Sequence, residues 1–127
     1  MRKRGVVLMM RYKRDEGFRF QFRSPIPGFI QKPQQDSEPI AIIIPDMSPN
    51  GLKLYAETKL MSNELYEVHF TLNDQKMRIL GTIVWIKQIG STYTYGLQGI
   101  NDKESMKAIV EGLKVYSKKA YQHIKDR

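Results

Sequence analysis

Cysteine is absent from this 127-residue sequence, which excludes a disulfide scaffold, a thiolate metal site and a cysteine nucleophile. Histidine occurs only twice, at His69 and His123, too few for a multi-histidine metal centre. Neither has a catalytic setting. His69 falls in the alternating run Val68-His69-Phe70, where a half-exposed strand residue is expected. His123 falls in the last turns of a helical pattern, where a cation suits the macrodipole. No glycine-rich dinucleotide fingerprint, phosphate loop or Gly-x-Ser-x-Gly elbow occurs. Ser48 lies near Asp46 but has no base beside it to activate its hydroxyl. A non-enzymatic protein is therefore expected. Long hydrophobic runs are also missing. Gly5 to Met10 is too short to span a bilayer, and basic residues rather than a small-residue cleavage site follow it. A cytoplasmic protein without a membrane span is the expectation.

The chain does carry an excess of positive charge, +8 overall, and that excess is concentrated. Residues 1–23 hold eight basic and two acidic side chains, a net +6, which leaves only +2 for the remainder. Such a field favours a phosphate-bearing partner. With 41% apolar and 27% charged residues, the rest should fold as one globular domain. A basic arm over 1–14 and a folded unit over 15–127 are expected.

Period-two alternation marks the strands. Phe18 to Arg23 alternates, Pro25 and Pro27 interrupt it, and Gly28 to Gln31 resumes. A polar turn spans Pro33 to Pro39. Ile40 to Ile44 is apolar throughout and reads as a strand buried on both sides. Leu52 to Glu57 and Leu65 to Leu72 alternate again. Asn73-Asp74 signals a turn, and Lys76 to Ile89 is long enough to need a bulge, placed near Gly81. Gly90-Ser91 turns the chain into Thr92 to Ile100. Tyr93 and Tyr95 read as surface or cross-strand residues, Trp85 as core or barrel rim, and the methionines Met9, Met10 and Met61 as gap fillers.

From about residue 102 the period changes. Asn101 and Glu104 have capping-box spacing. Met106, Ile109, Val110, Leu113, Tyr116, Ala120 and Ile124 then follow at helical steps. Short strands followed by one amphipathic helix predict an all-β-dominated fold, a small barrel with the helix over one opening or against its outside.

Two motifs carry chemistry. Arg19 and Arg23 stand four apart in Arg19-Phe20-Gln21-Phe22-Arg23. Asp46-Met47-Ser48-Pro49-Asn50-Gly51 follows about two dozen residues later. The pair, Arg-x-x-x-Arg with Asp-x-Ser-x-x-Gly, resembles the PilZ domain, a bacterial family that binds cyclic di-GMP. The likeness extends over roughly residues 15–125 through Gly51-Leu52-Lys53-Leu54, Ile83-Val84-Trp85-Ile86 and Tyr95-Gly96-Leu97-Gln98. It implies a six-stranded antiparallel β-barrel with a C-terminal α-helix. It also implies cyclic di-GMP as ligand, no metal and no cofactor, and a site of Arg19, Arg23, Asp46, Ser48 and Gly51.

The chemistry of these residues agrees. Arginine forks match phosphate oxygens and the O6/N7 edge of guanine, as lysine does not. Asp46 is suited to accept from guanine N1–H and N2–H₂, and Ser48 to add a bond to base or phosphate. Gly51 suits a turn or a close backbone approach. Many family members carry a further arginine just before the first motif arginine. Here that position is Phe18, and Arg11 or Arg14 of the arm stand as substitutes.

A stand-alone receptor of this type would act by changing its contacts with an effector protein that the sequence does not identify. Two other readings share these features. One is a PilZ-like adaptor that works without ligand. The other is a small basic barrel that holds single-stranded nucleic acid on its aromatics, without sequence specificity.

Overall fold

A computed structural model describes residues 19–33, 38–100 and 103–125, with side chains through residue 119. The expectations for the arm, for the turn at 34–37, for the Asn101 cap, and for the side chains of Ala120, His123 and Ile124 lie outside the described residues. Six strands and one helix follow in order: β1 (Phe20–Gln31), β2 (Ile40–Ser48), β3 (Gly51–Ala56), β4 (Leu65–Leu72), β5 (Gln75–Ile89), β6 (Thr92–Gly99) and α1 (Lys103–Lys125). All pairings are antiparallel, and the ring β1-β2-β3-β6-β5-β4 closes on itself through β1 and β4.

Alternation sets which side chains fill the ring. Ile30, Ile44, Leu54, Val68, Ile79, Ile83 and Tyr95 point inward and are fully buried. The helix adds Ile109 and Leu113 to the same core. It is fixed by an edge-to-face cluster of Phe20, Phe22 and Tyr116, with ring centroids 5.1–5.9 Å apart. The Asn73 amide also donates to the Gly112 carbonyl at 2.9 Å. Asn73 and Asp74 both have positive φ, 55° and 64°, the backbone of a two-residue hairpin turn whose twist matches its strands.

Several expectations are corrected. Ile40 to Ile44 is not buried on both sides. Ile42 and Ile44 face the core while Ile43 is 40% exposed, because a small barrel has one interior and no layer among the described residues covers this outer wall. Pro25 and Pro27 do not end a strand. Pro25 falls in an irregular stretch, and Pro27 precedes the β4 pairing that begins at Gly28, so neither interrupts a two-sided ladder. The bulge in β5 is not at Gly81, which is paired on both sides with Tyr66 and Gly99. The extra residue is Val84, between Ile83 and Trp85.

Tyr95 is no surface residue. Its hydroxyl donates to the Thr58 carbonyl at 2.9 Å and accepts from the Leu60 amide at 2.7 Å, tying the β3–β4 connection to the barrel. Met61 fills no gap and is 58% exposed. Tyr95→Phe should strand a buried amide and a carbonyl. Chemical denaturation should show about 1–3 kcal/mol lost.

On the outer wall of β4 and β5, Glu67 stands 3.0 Å from His69 Nε2 and accepts from Arg78 at 2.8 Å. The bond from His69, then those from Gln31 and Arg78, hold the Glu67 carboxyl below its ordinary value of 4.5. A depressed folded-state value contributes stability above the unfolded value, and that contribution is lost as pH falls through the folded one. Denaturation midpoints measured down an acid series should therefore fall less steeply below about pH 4.5 in Glu67→Gln than in the wild type.

Candidate binding site on the outer wall

The site is built around Pro45. Lacking an N–H, it cannot donate to a ladder, and β2 is irregular on both sides of it. Towards β1, the pairing jumps from Gln21↔Asp46 to Ile26↔Ile44, so Phe22 to Pro25 bulge against Pro45 alone. Towards β3, the jump runs from Ile43↔Tyr55 to Asp46↔Lys53. Bulges re-aim the residues beside them. Here they leave Met47 in the core while Asp46 faces the outer wall, and put Arg23 in the looped-out stretch of β1.

Opposite residues in a ladder share a face, so one transverse row can be followed across five strands. It runs Gln21, Asp46, Lys53, Gly96, Trp85. The Trp85 indole lies flat over Gly96, where a Cβ would come within 2.0 Å of its ring nitrogen. Trp85 is thus on the outside, 44% exposed, and not in the core.

Asp46 is the charged residue buried among those described, at 3% exposure. Arg19 Nη2 stands 3.5 Å from its Oδ1 and Lys53 Nζ stands 3.5 Å from its Oδ2. These are ion pairs, longer than charge-assisted hydrogen bonds of about 2.7–2.9 Å. Oδ1 has no hydrogen-bond donor among the described residues. The carboxylate is neutralised by charge but not saturated with hydrogen bonds.

Ser48 and Gly51 close a two-residue turn through Pro49 and Asn50 at the end of the same hairpin. Gly51 has no positive φ. Its hydrogen is required because a Cβ would lie 2.6 Å from the Leu97 carbonyl oxygen. The Asn50 carbonyl accepts from the Gly99 amide at 2.8 Å, which pins the turn to β6.

Of the sequence-expected residues, Arg19, Asp46, Ser48 and Gly51 come together at this end of the β2–β3 hairpin. Arg23 stands exposed on the adjoining bulge. Arg11 and Arg14 lie outside the described residues. Sequence reasoning missed Lys53 as a site residue and left Trp85 unplaced. Lys53 had a signal: once Ser48 and Gly51 close a two-residue turn, in-register pairing sets position 46 opposite position 53. An open apolar groove of about 530 Å³ on the β1–β4–β5 side, at Phe29, His69 and Met77, contains none of the site residues. No helix among the described residues is long and apolar enough to cross a membrane.

A closed antiparallel barrel with one C-terminal helix, whose polar row lies on its outer wall rather than in its lumen, defines the class of domain. The sequence matches the PilZ domain over residues 12–114, and the chain belongs to the PilZ family. No curated protein matches significantly in sequence.

Among solved structures, the PilZ domain of YcgR from Escherichia coli with c-di-GMP is similar, with a TM-score of 0.66 at 13% identity, over 87% of this chain and 96% of that one. The larger YcgR structure in complex with c-di-GMP, also from Escherichia coli, gives a TM-score of 0.66 at 15% identity, over 86% of this chain and 48% of that one. The PilZ domain of CeSA from a cellulose-synthesizing bacterium gives 0.55 at 16% identity, over 76% and 98%. At such identities these likenesses establish the fold, the six-stranded barrel with its helix.

Proposed function

We propose that this PilZ domain is a receptor for cyclic di-GMP, and that the ligand lies on the outer wall beside Arg19, along the row from Gln21 to Trp85. The observation that carries the reading is Asp46: buried, flanked by two cations, with an acceptor oxygen that no described residue fills. A guanine edge offers the paired N1–H and N2–H₂ donors that such a carboxylate accepts. Arg19 and Arg23 reach for the phosphates or the O6/N7 edge, and Ser48 adds a hydroxyl at the turn. Gly51 serves by steric room rather than by contact. Arg11 and Arg14 of the basic arm, residues 1–14, are further candidates for the phosphates. The c-di-GMP named with both YcgR structures supports the choice of ligand.

As a binding domain without enzymatic activity, the protein would pass the signal to an effector protein through altered surface contacts, in the cytoplasm where the messenger is made. Titration calorimetry tests the first step. Saturable heat with cyclic di-GMP, and none with GMP or GTP at the same concentration, is expected. Equal binding of all three, or of any oligonucleotide with a steep salt dependence, would overturn it.

Trp85 provides a second readout, because it is the single tryptophan of the chain. A base settling on its exposed indole should quench or shift its emission in proportion to occupancy. Unchanged emission at calorimetric saturation would remove Trp85 from the ligand face.

A further inference from the structure

Resting on the proposed ligand site, we infer that Lys53 is a positioning residue, one that keeps Asp46 paired and aimed when Arg19 leaves it for the ligand. Asp46 has two counter-ions of unequal exposure. Arg19 precedes β1 and its side chain is 57% exposed, so little packing opposes its turning toward a ligand. Lys53 is held directly opposite Asp46 by the β2–β3 ladder and its side chain is 34% exposed. A phosphate draws the guanidinium because it offers a bidentate, doubly bonded partner in place of a single 3.5 Å ion pair.

The departure of Arg19 would leave a carboxylate of 5% side-chain exposure alone in a poorly solvated place. An unpaired buried charge is costly, so the exchange proceeds only if a second cation stays behind. Lys53 is that cation. It approaches Oδ2, leaving Oδ1 for the guanine donors. Without it, Asp46 would retain Arg19 in competition with the phosphate.

The role differs from direct phosphate binding, and a double-mutant cycle separates the two. Cyclic di-GMP affinity is measured by calorimetry for the wild type, Lys53→Met, Asp46→Asn and the double variant, with thermal melts as folding controls. Lys53→Met should weaken binding about 5- to 30-fold, less than the loss of a residue bonded directly to the ligand. In the Asp46→Asn background the same change should cost less than about twofold, because a neutral amide needs no counter-ion. Lys53→Arg should stay within about twofold of the wild type, since it restores the counter-ion. An equal loss in both backgrounds would make Lys53 a phosphate ligand and overturn the positioning role. So would an unaffected Lys53→Met, or a Lys53→Arg as weak as Lys53→Met. Any of these results with a wild type that binds overturns this inference alone, whereas a wild type that does not bind overturns the receptor reading beneath it.

Discussion

Arg23→Ala and Asp46→Ala are each expected to weaken cyclic di-GMP binding about 10- to 150-fold, the equivalent of one hydrogen bond to a charged group at roughly 1.5–3 kcal/mol. The two substitutions change the charge in opposite directions, which is what makes the pair informative. Arg23→Ala removes a cation, and simple attraction to an anion would fall. Asp46→Ala removes an anion and leaves Arg19 and Lys53 without their shared partner. By charge alone that should tighten an anionic ligand. Weaker binding in both variants therefore identifies directed bonds, with Asp46 reading a base. Tighter binding by Asp46→Ala would end the base-reading role. Lys119→Ala supplies the control. It removes one exposed charge from the helix, and screening over about 8–10 Å should hold its effect below about twofold. Calorimetry at one ionic strength, with a melt for each variant, makes the comparison.

Leu54→Ala should do the reverse. Leu54 is fully buried, one position along β3 from Lys53 and so on the opposite face of the sheet. Emptying its place in the barrel interior should lower unfolding free energy by about 2–5 kcal/mol. Urea denaturation would show this as an earlier midpoint with little change in slope. Below its own melting range the variant should still bind cyclic di-GMP within about twofold of the wild type, because no residue of the outer row changes. A loss of affinity as large as that of Arg23→Ala, in folded protein, would mean that core packing sets the geometry of the row.

Much of this arrangement was legible in the order of residues. The alternation in Leu52 to Glu57 and Leu65 to Leu72 put the right side chains inside, because a two-sided strand with one wet face has only one register that buries its apolar set. The helical period from Met106 placed Ile109 and Leu113 in the core. Of the motif residues, Arg19 pairs with Asp46, and Ser48 and Gly51 close the turn beyond it. What escaped was non-local. An all-apolar run such as Ile40 to Ile44 carries no alternation, so its wet face appears only when the barrel closes around one interior. The shift at Val84 depends on how β5 meets β6, and glycine alone was a misleading marker for it. Tyr95 was misplaced because its hydroxyl finds partners at Thr58 and Leu60, more than thirty positions earlier. Lys53 was overlooked because its partner belongs to the neighbouring strand.

The placement of the polar row on the outside has an evolutionary consequence. In a barrel that binds within its lumen, each change of ligand preference also alters the core, and selection on one is selection on both. Here the two sets of side chains alternate along the same strands without sharing positions: Lys53 between Leu52 and Leu54, Gly96 between Tyr95 and Leu97. A lineage can therefore exchange Lys53, Ser48 or Trp85 by single substitutions while the interior stays under its own constraint. The two glycines are the exception: a Cβ at Gly51 would meet the Leu97 carbonyl of the next strand, and one at Gly96 would displace the Trp85 indole. Substitution should therefore be freer at Lys53, Ser48 and Trp85 than at Gly51, whose hydrogen the strand pairing needs.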